Sequence, residues 1–283
     1  MIYLILAICS SALISIFMRA GENKIRNNIS TLAVNYVVCL LLGMYYSAGS
    51  GSFIVPWDTG KVTIFLGVIE GFLFVASFIL YQFNIFRNGV VMSSTFMKLG
   101  VLIPTLVAIL IFGEHPSIIQ ILGIVMAVLA IIIVNGVKGK TDETGTVTAP
   151  HALALLLLCG GLGDSLTKFY DELGPAEYSS HFLLYVFAVA LVLCTTVALA
   201  KGQRFTVPDI LFGCLIGFPN YYSARFLLLS LSHVPAVIAY PMLSVGTILL
   251  VSIAGVMLFH EKMTRRQWAS VGVVIAAMIL LNV

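Results

Sequence analysis

Long apolar runs separated by short polar breaks fill this chain from end to end. The first five lie roughly at Ile2–Met18, Ile29–Ala48, Val62–Phe86, Val90–Phe112 and Ser117–Val137. The next five lie roughly at Ala152–Phe169, Tyr178–Ala200, Val207–Leu231, Val234–Phe259 and Arg266–Asn282. A helix needs about 20 apolar residues to cross a bilayer, and a barrel strand only about 10. Backbone groups in lipid must find partners within their own segment, so runs of this length predict helices. Breaks such as Arg87–Gly89 and Glu114–Pro116 are short, so neighbouring helices must run antiparallel. The expected fold is an all-α integral membrane protein of ten transmembrane helices. The first run reads as a span and not a signal peptide, because its basic residues follow it and no small-residue cleavage pattern stands behind it.

Composition removes the alternatives. Of 283 residues, 60% are hydrophobic and 10% charged, with a mean hydropathy of +1.08. Soluble domains carry about a quarter charged residues, so neither a soluble enzyme nor a disordered chain fits. A net charge of +3 leaves no footprint for nucleic acid. Cys9, Cys39, Cys159, Cys194 and Cys214 all fall inside apolar runs and read as small buried hydrophobes. The motifs predict no metal site and no cofactor, and without a P-loop this chain alone is not an ATP-driven pump.

The pattern repeats. Lys138–Pro150 is the longest polar stretch and reads as a linker between a first half, 1–137, and a second half, 151–283. One ungapped shift of 147 positions superposes Phe112 on Phe259, Glu114 on Glu261, Gln120 on Gln267 and Asn135 on Asn282. Apolar identities are cheap in such a composition; matched Glu, Gln and Asn are not. Gly67-x-x-x-Gly71 is echoed by Gly213-x-x-x-Gly217, a spacing that lets helices approach closely. Five helices per half is an odd number, so two tandem copies cross the membrane in opposite senses, as in many secondary transporters. Basic residues follow the odd-numbered runs eleven times (Arg19, Lys24, Arg26 and Arg204 among them) and the even-numbered side twice, at Lys61 and Lys168. That bias puts both termini outside.

The GE-x-P-S-x-x-Q-x-x-G sequence at Gly113–Gly123, its partial copy from Glu261 to Gln267 and the five-plus-five layout resemble the drug/metabolite transporter superfamily, in its ten-span EamA-type branch. The resemblance covers essentially the whole chain. It implies an inverted repeat around a central cavity, and transport of small organic metabolites, often export, across the cell membrane. Two positions depart from the pattern: His260 replaces the glycine before Glu261, and Ser270 stands where the first copy has Gly123. The family usually keeps both termini in the cytoplasm, against the charge bias. Glu114 and Glu261 lie at span ends, where a carboxylate suits the positive N-terminus of the next helix.

Charges inside the runs are the candidate chemistry, because each is costly there and usually faces a cavity. Glu70, Lys98 and Arg225 lie deepest; Asp164 is shallower, with Lys168 one turn on as a potential partner. Glu70, between two glycines, suits a proton or an amine; its structural alternative is an ion pair with Lys98. Lys98 and Arg225 suit a carboxylate, Arg225 in bidentate fashion, with snorkelling as its alternative. Tyr81, Gln82, Asn84, Asn220, Tyr221, Tyr222 and Tyr240 offer lining groups or helix-packing contacts. Pro104, Pro219 and Pro241 can bend their helices.

The expected function is a proton- or gradient-driven carrier of a small polar metabolite such as an amino acid, with Glu70 also coupling the proton and the bilayer as its other partner. An organic-anion carrier, a lipid-carrier flippase and a non-transporting membrane partner are the alternatives. Gly161-Leu162-Gly163-Asp164 matches an intramembrane aspartyl protease pattern. Its only companion, Asp171, is seven residues along the same helix, about 10 Å away, too far for two carboxylates to share a water. The sequence leaves the oligomeric state open.

Overall fold

The computed structural model describes residues 1–50, 52–135, 149–260 and 265–282. Most of the linker, and Glu261, lie outside them. Among the described residues every regular element is helical: α1 (Ile2–Gly21), α2 (Asn28–Ser47), α3 (Trp57–Leu99), α4 (Leu102–Leu110), α5 (Ile118–Asn135), α6 (Pro150–Leu173), α7 (Ser179–Ala200), α8 (Val207–Leu231), α9 (Ala236–Leu258) and α10 (Arg265–Asn282). Among the described residues, seven helical segments are long and apolar enough to cross a membrane. They are α1, α2, Trp57–Ile85, Ser93–Leu110, α6, Ala176–Ala200 and α9. The apolar stretches of α5 and α10 are shorter, and α8, which carries Asp209, Asn220 and Arg225, is not among the seven.

Helical geometry runs through the expected break at Arg87–Gly89 without a loop, yet the chain doubles back there. The Asn84 side chain donates to the Ala152 carbonyl at 2.9 Å. Asn88 donates to the Ala149 carbonyl at 3.2 Å and accepts the Ala149 N–H at 3.0 Å. From Asn84 to Asn88, α3 therefore descends α6. Gly100, twelve residues later, packs against Gly161, about 18 Å back up α6. The run is two arms that meet near Arg87–Gly89. The second arm is interrupted at Gly100–Val101 because Pro104, four residues ahead, has no N–H to offer the Gly100 carbonyl.

The chain packs as two compact units. One comprises Met1–Val75 with Leu166–His233, and the other Ala76–Ser165 with Val234–Val283. Each draws on both sequence halves, so the units are not the repeats. In the first unit, Gly213 and Gly217 of α8 lie against the carbonyls of Thr31 and Asn35 on α2, while Gly67 and Gly71 of α3 lie against those of Phe182 and Val186 on α7. Each glycine pair thus seats one helix on a parallel neighbour. By contrast α2 and α7, the second helix of each half, run antiparallel: Tyr36 meets Phe187, and Gly43 meets Leu184.

In the second unit α5 and α10, the last helix of each half, are also antiparallel. Gly123 packs on Leu281, and the Ser270 hydroxyl donates to the Ala130 carbonyl at 3.1 Å. Ser270 therefore makes a contact that a glycine could not. The turns before these helices share a backbone conformation, with φ +66° at Gly113 and +52° at His260. Left-handed backbone costs an L-residue about 1 kcal/mol, so His260→Gly is expected to stabilise the protein by about that amount, read from thermal unfolding.

Candidate functional site

The duplicated motif of the first half closes helices. Ser117 and Gln120 form a reciprocal cap at the start of α5: the Gln120 side-chain Oε1 accepts the Ser117 N–H at 3.0 Å, and Ser117 Oγ accepts the Gln120 backbone N–H at 3.2 Å. Glu114 does not cap α5, the helix that follows it. Its two carboxylate oxygens accept the N–H groups of Ala236 and Val237 at 3.0 and 2.9 Å, which opens α9. A negative charge is favoured at that positive helix end. Glu114 is therefore spoken for by the fold.

In the first unit the buried charges are seated on polar groups. Glu70 is 4% exposed and accepts the Thr167 hydroxyl at 2.9 Å. Its neighbours Gly67 and Gly71 lie against α7, while its own carboxylate meets α6. Arg225 donates to Ser180 Oγ at 3.0 Å, and its guanidinium carbon stands 3.8 Å from the Tyr46 ring centre. Tyr46 stacks on buried Tyr221, with ring centres 5.8 Å apart, and its hydroxyl meets that of Tyr222 at 3.1 Å. Arg225 is thus held in an aromatic box. Its partners stand at the end of α2 and the start of α7, so the box lies toward one end of the helices.

Asn220 stands apart from that box. Its amide donates to Asn35 Oδ1 at 3.1 Å, and Cys39 Sγ donates to the Gly217 carbonyl at 3.4 Å, which makes this group a clamp between α2 and α8. Lys168, expected to face Asp164, binds Glu172 at 2.6 Å, with Asp171 at 3.9 Å. The flexible lysine stem reaches forward along α6, where two carboxylates satisfy a side chain that is only 3% exposed.

In the second unit Lys98 is half-buried and within electrostatic range of Asp164. The sequence had set Lys98 against Glu70. Asp164 is exposed, although it lies fourteen residues into α6 and nine from its end. The Tyr240 hydroxyl donates to the Asp164 backbone carbonyl at 2.7 Å, next to buried Pro241. Lys98, in the last turn of α3, Asp164, past the middle of α6, and Tyr240, one turn into α9, therefore share one place. Tyr81 is half-buried on α3. The sequence set Asp164 below Glu70, Lys98 and Arg225 in depth and drew no attention to Thr167, Ser180 and Tyr46. Among the described residues no group of His, Cys, Asp or Glu has the arrangement to hold a metal ion.

No family model matches the chain. An uncharacterized protein of Haemophilus influenzae is 23% identical over 279 residues, covering 95% of this chain and 93% of that protein. A solved protein structure superposes with a TM-score of 0.77 at 12% identity, over 99% of this chain and 94% of that one. The likeness shows that the fold occurs in a solved structure.

Proposed function

We propose that this protein is a secondary active transporter of the drug/metabolite type, exporting a small polar metabolite such as an amino acid across the cell membrane. Its ten helices act as two inverted five-helix repeats that exchange access to a central site. The observation that carries the reading is that the opposite charges of Lys98 and Asp164 lie within electrostatic range of each other inside apolar helical runs, where a lone charge is costly and where transporter sites are built. The antiparallel pairing of corresponding helices, α2 with α7 and α5 with α10, supports the inverted repeat. So do the shared left-handed turns at Gly113 and His260.

In this reading Lys98 or Arg225 takes the substrate carboxylate. Glu70 takes the amine or the coupling proton, with Tyr81, Tyr221 and Tyr240 shaping the space and Asn220 bracing it. The test is uptake by proteoliposomes under an imposed pH gradient, with amino acids compared against organic anions. Amino-acid transport that responds to the gradient, and that loses this response in Glu70→Gln, is the expected result. An unchanged pH profile and affinity in Glu70→Gln removes that residue's role. Transport of organic anions alone shifts the reading to an anion carrier. A flippase would instead move lipid and no soluble solute.

A further inference from the structure

An apolar groove of about 590 Å³ runs between α1 and α8, lined by Leu13 and Phe17 on one side and by Leu211, Leu215, Phe218 and Tyr222 on the other. Leu13, Leu211 and Phe218 are exposed. From Leu211 to Tyr222 the groove is about 17 Å long at 1.5 Å per residue, against about 15 Å for one leaflet of a ~30 Å hydrocarbon core. It fits one acyl chain lying along the helices.

The charge lies at one end of it. One turn beyond Phe17, Gly21 packs on Phe212, the neighbour of Leu211, and Lys24 Nζ stands 5.9 Å from the Phe212 ring centre. The fold holds that loop in place. Asp209 of α8 accepts the N–H groups of Arg26 and Asn27 at 2.8 and 3.1 Å, and the Asn27 amide donates to the Arg204 carbonyl at 2.8 Å. The exposed side chains of Lys24, Arg26 and Arg204 are thereby gathered where the groove ends. This is the side on which the basic residues of the chain concentrate, and a cytoplasmic leaflet rich in anionic lipid is what such a concentration meets.

We propose that the α1–α8 groove is a binding site for an anionic phospholipid of the surrounding bilayer. One acyl chain lies against Leu215 and Phe218, and the phosphate rests beside Lys24 with Arg26 and Arg204 around it. The site is tested by native mass spectrometry of the full chain in neutral detergent, titrated with phosphatidylglycerol and with phosphatidylcholine of the same acyl chains. One phosphatidylglycerol is expected to bind more tightly than phosphatidylcholine. Lys24→Gln should weaken phosphatidylglycerol about fivefold and leave phosphatidylcholine unchanged, while Lys61→Gln, remote from the groove, changes neither. Leu215→Trp, which fills the groove, should weaken both.

A second measurement needs no variant. Phosphatidylglycerol with a photoactivatable acyl chain should label peptides covering residues 10–17 and 211–226 of the wild-type protein. Equal binding of the two lipids, a Lys24→Gln loss no larger than that of Lys61→Gln, or labelling confined to other helices would each overturn the site.

Discussion

Gly71→Val should destabilise the protein by about 3 kcal/mol, an overpacking penalty at the top of the usual range. A Cβ at Gly71 would come within 2.5 Å of the Val186 carbonyl oxygen and 2.8 Å of the Val189 Cβ. The first of these is backbone, which cannot swing aside as a flexible side chain can. The helices must therefore separate. Gly272→Ala is the control. No atom lies within 4 Å of a Cβ built there, and alanine is the better helix former by roughly 0.5–1 kcal/mol. It should be neutral or slightly stabilising. Thermal unfolding of the purified variants separates the two, and an unfolding temperature for Gly71→Val equal to that of wild type would mean that α3 and α7 do not pack as described.

Under the proposed function, Arg225→Ala is expected to reduce transport efficiency by about 30-fold, with Arg225→Lys falling between it and the wild type. A hydrogen bond to a charged group contributes about 1.5–3 kcal/mol, and each 1.4 kcal/mol is tenfold. Lysine keeps the charge but loses both the planar stack on Tyr46 and the bidentate fork. The competing role for Arg225 is to pin α8 to α2 and α7 through Tyr46 and Ser180. That role predicts a lower unfolding temperature with transport per folded molecule unchanged. Measuring both quantities on the same preparations distinguishes a substrate contact from a brace.

Among the residues proposed for the site, legibility in the sequence followed depth. Glu70, Lys98 and Arg225 were found because charge within an apolar run is conspicuous. The neighbours of Asp164 could not be read from the run, because Lys98 comes from another helix and Tyr240 from a third. Asn220 read as a lining group and proves to be a clamp on Asn35, since a lone amide in a run looks the same in either role. Lys168 looked backward to Asp164 in the sequence and reaches forward to Glu172 in the structure; both spacings are helical neighbours, and only packing chooses between them.

By itself the sequence determined that the chain is helical and suited to a membrane, because run length and charge content are local properties with a local physical consequence. It also marked the glycine pairs, the prolines and the matched motif in the two halves. The tertiary structure decided which helix each glycine pair meets, that Glu114 closes α9 and not the helix beside it, and that each compact unit mixes the two halves. Periodicity tells which residues share one face of a helix. It does not tell which other helix that face will meet, and the partners of a buried charge depend on that meeting.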